Sequence, residues 1–320
     1  MSGSRTSAGA GRSDLAECES GAQALRAAGR LSPRHPSDRG LIRAARRPPG
    51  WTPAGPQPHG PGTRSDLWPG QHEDLCYLSG DWRIFQRIDG HRWSLDDLVT
   101  AAYAVDAARQ YTVRRVLDLG CGIGSVLLMV AWSLPAAEIL GVEAQSISID
   151  LARRSIAYNG VATRCAVRPG DFREPGVISG QSEFDLVTGT PPYFDRETGP
   201  ISNHVQRGPC RFEVRGGVEA YCRAAAEWLG REGCFVFCVS SGQEGRVDRA
   251  CRESGLSLMA GQEVIPRVGK PPLFTVYRLS RAAIVNKAAA RWDPPLIVRD
   301  TKGRRTPQFI SLREKMGMPS

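Results

Sequence analysis

Leu117-Asp118-Leu119-Gly120-Cys121-Gly122-Ile123-Gly124-Ser125 is the stretch from which the rest of the chain can be read. A short apolar run, Arg115–Leu119, ends in three glycines at alternate positions, and an apolar helical pattern, Ser125–Trp132, begins straight after them. Strand, glycine turn and helix open a βαβ unit, in which the turn lets the backbone approach a ligand closely. The spacing is G-x-G-x-G, not the G-x-G-x-x-G that seats a pyrophosphate on a helix terminus. Asp118, two residues before Gly120, would also place negative charge near any pyrophosphate. A cationic ligand with an amino-acid end suits this turn better than a dinucleotide, which remains the rival reading of a glycine turn.

Outward from this turn, apolar runs alternate with helical patterns. Strands are predicted at Arg115–Leu119, Glu138–Val142, Cys165–Arg168, Phe184–Thr188, Cys234–Val239, Leu256–Met259 and Leu273–Leu279. Helices are predicted near Leu95–Arg109, Ser125–Trp132, Ser146–Tyr158, Gly217–Leu229 and Gly245–Arg252. This alternation describes an α/β fold with a seven-stranded, mostly parallel, Rossmann-like sheet and helices on both faces. Such sheets bind ligands at the carboxyl ends of their strands, near the point where strand order reverses. Acids stand at three successive strand ends. Asp118 is followed 25 residues later by Glu143, and the third strand leads into Asp171-Phe172. Glu143 is placed to accept from both ribose hydroxyls, and Asp171 from an adenine amino group with Phe172 against the ring. Each acid alone also reads as a solvated or helix-capping carboxylate.

Composition sets the outer bounds. With 320 residues, 41% hydrophobic and 23% charged, the chain can bury a sizeable core, and no run approaches 18 apolar residues. The net charge is +9 and unevenly placed. Residues 1–65 hold ten Arg against four acids, residues 281–320 nine basic residues against three acids, and residues 66–280 hold 23 against 26. Two basic ends around a near-neutral body suit a polyanionic partner, or serve only to keep the chain in solution. Residues 1–65, rich in Ala, Gly, Ser, Pro and Arg, read as a disordered basic extension, with a transit peptide as the alternative. The domain is expected at 75–280 and a basic tail at 281–320. Nine cysteines without a CxxC pair point to a reducing, cytoplasmic setting, and no metal site is expected. Cys234 and Cys238 are expected to face one core layer. No membrane association is expected, and no oligomeric state follows from the sequence.

The motif Asp118-Leu119-Gly120-Cys121-Gly122-Ile123-Gly124, followed by Glu143 and Asp171-Phe172, resembles the cofactor site of Rossmann-like S-adenosylmethionine-dependent methyltransferases. The resemblance spans about 90–280. It implies that Gly120, Gly122 and Gly124 face the methionine part, Glu143 the ribose and Asp171 the adenine amino group.

The fourth predicted strand runs into Thr190-Pro191-Pro192-Tyr193. Two prolines fix an extended path and leave carbonyls free to accept, while a tyrosine ring offers a stacking face. Such a turn holds a planar amine with its nitrogen lone pair aimed at a sulfonium methyl, or is an ordinary loop leaving a strand. It resembles the Asn/Asp/Ser-Pro-Pro-aromatic signature of amino methyltransferases acting on exocyclic base nitrogens or glutamine amides. Thr190 stands where the commonest form has Asn, and Thr brings a hydroxyl but no carbonyl.

Upstream, Gly90-His91-Arg92-Trp93-Ser94-Leu95-Asp96-Asp97-Leu98-Val99 resembles the opening segment of the bacterial tRNA-1(valine) adenine-N6 methyltransferases and their small-domain relatives. That resemblance implies that Ser94 and Asp96 help close the cofactor pocket; Ser94 with Asp97 is also a capping-box pattern. The implied activity is methyl transfer to adenine N6 in tRNA or other RNA. The alternatives are a protein glutamine-amide methyltransferase, or a protein of this fold that binds RNA or a partner without catalysis. Basic residues cluster at Arg196, His204, Arg207, Arg211 and Arg215, at Arg267 and Lys270, and at Arg299–Arg305; each cluster reads as a phosphate grip or as a solvated surface.

Overall fold

The computed structural model describes residues 40–44, 46–181, 183–193, 206, 212–281 and 290–320. The apolar runs become β4 (Arg115–Leu119), β5 (Glu138–Glu143), β6 (Cys165–Pro169), β7 (Phe184–Gly189), β8 (Leu229–Ser240), β9 (Leu256–Ile265) and β10 (Phe274–Arg281). They lie side by side in the order β6-β5-β4-β7-β8-β10-β9. From β6 to β8 all neighbours are parallel, and β10 runs antiparallel between β8 and β9. The chain builds β4, β5 and β6 in one direction, then returns to start again at β7 on the other side of β4. Strand order therefore reverses between β4 and β7, and there the carboxyl ends open into a crevice.

Side chains alternate across the strands and feed two cores. Helices α1 (Leu95–Ala108), α2 (Ser125–Ser133) and α3 (Ser146–Tyr158) cover one face. Helices α4 (Val218–Trp228) and α5 (Glu244–Ser254) cover the other. On β8, Cys234, Val236 and Cys238 point into the first core, and Phe235 and Phe237 into the second. The two cysteines thus share one layer, as their spacing requires.

The ends of the chain differ from the sequence reading. Leu41–Ile42 (β1) adds a parallel strand to a hairpin of β2 (Glu73–Tyr77) and β3 (Arg83–Arg87). This small sheet sits on α3: Phe85 and Tyr158 meet edge to face with centroids 5.9 Å apart, and Arg154 donates to Glu73 Oε1 at 2.9 Å. The Pro- and Gly-rich stretch after β1 is laid along the body, and the Gly60 N–H donates to the Tyr158 carbonyl at 3.0 Å. The described residues from 40 to 65 are therefore part of the fold and not a disordered extension. Proline-rich chain can be ordered without periodicity when its contacts are all tertiary.

Residues 290–320 are likewise no free tail. β11 (Arg291–Trp292) and β12 (Leu296–Ile297) extend the main sheet beside β9, giving it nine strands where seven were expected. Helix α6 (Pro307–Lys315) starts on Thr306, whose hydroxyl accepts from the Phe309 N–H at 3.2 Å. It buries Phe309, and Met316 and Met318 follow.

Both ends meet at one indole. A Cβ at Gly55, Gly80 or Gly317 would come within 2.4, 3.1 and 2.5 Å of Trp132. The Gly80 N–H donates to the Gly317 carbonyl at 2.9 Å beside it. Trp132, at the end of α2, is thus walled by backbone from three distant segments.

Candidate functional site

A cavity of about 440 Å³ opens at the carboxyl ends of β4, β5, β6 and β7. Its wall includes Asp96, Gly120, Gly122, Glu143, Asp171, Phe172 and the whole of Thr190-Pro191-Pro192-Tyr193. The topology brings these together: β4 is flanked by β5 and β7, so the turns that follow the three strands share one rim.

The glycine turn is held in place from beneath. Gly120 has φ +59° and Gly122 φ +55°. A Cβ at Gly120 would stand 2.4 Å from the Tyr221 hydroxyl oxygen, whereas one at Gly122 would meet nothing within 4 Å. The first position needs glycine for close packing; the second leaves bare backbone. Glu143 ties the turn to β5: its Oε2 accepts from the Gly122 N–H at 3.0 Å and its Oε1 from the Gln145 N–H at 2.7 Å. Burial raises its carboxyl above the usual range, and those two N–H donors work against the shift. Each oxygen keeps a lone pair for a further donor.

Asp171 accepts from Arg173 twice through Oδ1, at 3.0 and 2.9 Å, and once through Oδ2 at 2.6 Å, which holds its carboxyl below the usual range. Phe172 meets Tyr221 edge on, with centroids 4.6 Å apart. At the other side of the cavity α1 begins with a capping box in which the Ser94 N–H donates to Asp97 Oδ2 at 2.8 Å. The Ser94 hydroxyl bonds Asp96, which faces the cavity. This segment thus caps α1 and lines the cavity at once.

Two sequence-named residues lie behind the cavity instead of on its wall. Asp118 is 2% exposed, and its Oδ1 accepts from the Thr188 hydroxyl across the sheet at 2.8 Å. Burial pushes its carboxyl up to about 7, and the acids on the cavity wall are instead Asp96, Asp97, Glu143 and Asp171. Gly124 caps α2 and abuts Ala152 of α3, where a Cβ would be 3.3 Å away; it serves helix packing.

Tyr193 is held by two contacts. It lines the cavity, but its hydroxyl is turned to Cys238 Sγ at 3.3 Å, and its carbonyl already accepts from Gln243 Nε2 at 3.2 Å. Burial, with Cys238 and Asp96 nearby, raises its phenol above the ordinary range. The ring is thus held in place in the cavity wall, and Thr190 and the proline carbonyls form the polar edge of the turn.

Other site residues carried no local signal in the sequence. Tyr221, 5% exposed on α4, props Gly120. Gln206 accepts from the His91 N–H at 3.2 Å and donates to Ser148 Oγ at 3.1 Å, joining the 90–93 segment to α3. Arg215, by contrast, belongs to a basic cluster already named from the sequence, and it stands at the cavity rim near Glu143 and Asp171. Arg196, His204, Arg207 and Arg211 lie outside the described residues. The other two basic clusters adjoin, since the Val268 N–H donates to the Arg299 carbonyl at 2.9 Å. Among the described residues no three His, Cys, Asp or Glu side chains gather as metal ligands, and no helix is long and apolar enough to cross a membrane.

The wall selects for ligand charge. Four carboxyl groups, bare glycine backbone and the two arginines Arg92 and Arg215 fit a ligand that carries a cationic centre and an amino-acid end beside a nucleoside. The excess of acids weighs against a pyrophosphate.

Comparison with known proteins agrees with this geometry. Residues 98–205 match a family described as "Methyltransferase small domain". The chain is 24% identical over 227 residues to a tRNA1(Val) (adenine(37)-N6)-methyltransferase of Porphyromonas gingivalis, covering 70% of this chain and 87% of that protein. It is 33% identical over 124 residues to a release factor glutamine methyltransferase of Bordetella pertussis, covering 37% of this chain and 43% of that protein. It thus spans most of the first relative and less than half of the second. A solved structure of a predicted O-methyltransferase from Agrobacterium tumefaciens superposes with a TM-score of 0.52 at 22% identity, over 70% of this chain and 98% of that one, a likeness of fold alone.

Proposed function

We propose that this chain, a class I, Rossmann-like S-adenosylmethionine-dependent N-methyltransferase, methylates the exocyclic N6 of adenine in RNA, with tRNA as the leading acceptor. The observation that carries the reading is the shared cavity. The Thr190-Pro191-Pro192-Tyr193 turn and the wall of Gly120, Gly122, Glu143 and Asp171 face the same space.

When bound, S-adenosylmethionine supplies an electrophilic methyl group. In this reading Glu143 accepts from the ribose hydroxyls with the lone pairs that Gly122 and Gln145 leave free. Asp171 accepts from the adenine amino group of the cofactor, oriented by Arg173. Asp96 and Arg215 face the amino-acid end. Thr190 and the proline carbonyls accept the two N–H bonds of the acceptor amine and so aim its lone pair. Fixed orientation and exclusion of water do most of the work, and the nitrogen loses its proton after attack, so no strong base is required. The relative aligned over most of its length, a tRNA1(Val) (adenine(37)-N6)-methyltransferase, supports adenine as acceptor. The shorter match to a release factor glutamine methyltransferase supports a glutamine amide as the second reading.

The test offers isotope-labelled cofactor with total tRNA, total rRNA, DNA and a protein extract, followed by nucleoside mass spectrometry. Labelled N6-methyladenosine in RNA is expected. Label in protein alone would move the acceptor to glutamine. No label with the cofactor bound would make the chain a binding protein and Thr190 the reason.

A further inference from the structure

A second cavity, of about 550 Å³, lies between the β1-β2-β3 sheet and the end of α6. Its wall combines aromatic rings, Trp51, Tyr77 and Trp93, with the guanidinium groups of Arg46, Arg92 and Arg313. Arg47 packs on both Trp51 and Tyr77, 5.0 and 4.8 Å from their ring centroids, and is bound to Asp81, so these rings are fixed in the wall. The charges are not balanced. Arg92 and Arg43 share the buried Asp74, at 2.8 and 2.7 Å. Arg46 is exposed and makes no ion pair among the described residues. Arg313 is half-buried; its Nε donates to the Pro319 carbonyl at 3.0 Å, and no Asp or Glu among the described residues pairs with it. Burial and the nearby Arg305 push it down to about 10. A half-buried cation without a counter-charge is costly unless an anion arrives. Arg92 also lines the first cavity, so the two spaces adjoin across the segment Gly90–Trp93.

We propose that this second cavity binds one nucleotide of single-stranded RNA flanking the acceptor base, its base against Trp51 and Trp93 and its phosphate between Arg46 and Arg313. The proposal rests on RNA being the acceptor. Basic groups alone would suit any polyanion; aromatic faces beside them select a strand with exposed bases. Single strands are recognised in this way because every base has a face to stack, while the phosphate contributes salt-dependent affinity.

The test titrates a fluorescein-labelled single-stranded RNA 12-mer of mixed sequence into the full chain and into three variants at several salt concentrations. Trp51→Ala is expected to weaken binding about tenfold. Arg46→Glu, at an exposed position without packing, is expected to weaken it several-fold and to lower the salt slope by about one, while Arg46→Lys retains most of both. Affinity for labelled S-adenosylmethionine is expected to stay unchanged in all three, which shows that the fold is intact. Unchanged RNA affinity in Trp51→Ala and Arg46→Glu would overturn the proposal, as would a wild type that does not bind the RNA. A Glu-rich 12-residue peptide bound as tightly as the RNA would overturn it too. Transfer to total tRNA, measured on the wild type in parallel, separates the failures. Methylated tRNA with unaffected variants sinks the second cavity alone, and label confined to protein sinks the choice of acceptor.

Discussion

Gly120→Ala tests how the cofactor wall is built. The substitution imposes two costs that the structure keeps apart. At φ +59° an L-residue loses about 1 kcal/mol to the left-handed conformation. The new Cβ would also lie 2.4 Å from the Tyr221 hydroxyl oxygen, a distance real Cβ atoms essentially never show. Tyr221 is 5% exposed and packed edge on against Phe172, so it cannot swing away without moving the Phe172 side of the cavity. Overpacking of this kind costs about 2 kcal/mol. The sum is about 3 kcal/mol, more than a hundredfold in an equilibrium constant. Tyr221→Phe deletes the offending oxygen and leaves the ring carbon, 3.4 Å from the Cβ, as the nearest contact. The double variant is therefore expected to recover about 2 of the 3 kcal/mol, and the backbone cost alone remains. Urea unfolding of the four proteins reads the cycle, and equilibrium dialysis with labelled S-adenosylmethionine reads the displacement of Phe172. If Gly120→Ala costs the same in the Tyr221→Phe background as in the chain that keeps Tyr221, this tyrosine is not the prop and the reasoning fails.

Other expectations follow from single contacts. Tyr193→Ala is expected to lower methyl transfer at least tenfold, about 1.4 kcal/mol, with little change in cofactor affinity, whereas Tyr193→Phe loses only the contact with Cys238 and retains most activity; steady-state transfer assays compare them. Arg246 donates to Glu213 and Glu219 at 2.7 and 2.6 Å and so fixes the segment that leads into α4; Arg246→Ala strips Glu213 of this partner and leaves Glu219 only the longer pair with Arg249 at 3.8 Å, and is expected to cost about 2 kcal/mol in urea unfolding. Burial pushes the Asp118 carboxyl up to about 7 and raises that of Asp97 as well. The folded state then keeps protons that the unfolded chain releases above about pH 4, so this part of the stability is full below that value and is lost as pH rises towards the folded value. Asp118→Asn is expected to flatten the fall in urea midpoint between about pH 5 and about pH 7; an unchanged slope would show that Asp118 is ionised throughout.

The central sheet was legible because its strands are short apolar runs buried on both faces and separated by helical patterns. All seven predicted strands appear; the main differences are the longer β8 and β9. The carboxylates at the ends of β5 and β6 were legible for the same reason, since strand ends converge on one rim. Asp118 was not legible. Its residue type is right for a ligand contact, but the alternation of the strand turns it to Thr188, which only the pairing of β4 with β7 reveals. Tyr221 escaped because it comes from the opposite helical layer, about a hundred residues after the turn it supports. The ordered ends escaped because their strands are two residues long and their contacts are tertiary. One signal was available: Thr306-Pro307, an N-cap followed by proline at the first helical position, announces α6.

The backbone wall around Trp132 has a consequence for synthesis. Its parts come from near the start of the described chain, from the β2–β3 turn and from the last few residues. During translation the indole and the walls at Gly55 and Gly80 are made long before Gly317. Until then one side of the indole is left uncovered, and a chaperone that recognises exposed aromatic surface has a target. The end of α2 is therefore sealed only once Gly317 has been made, and a chain stopped before it would carry the glycine turn and its carboxylates with one side of Trp132 open.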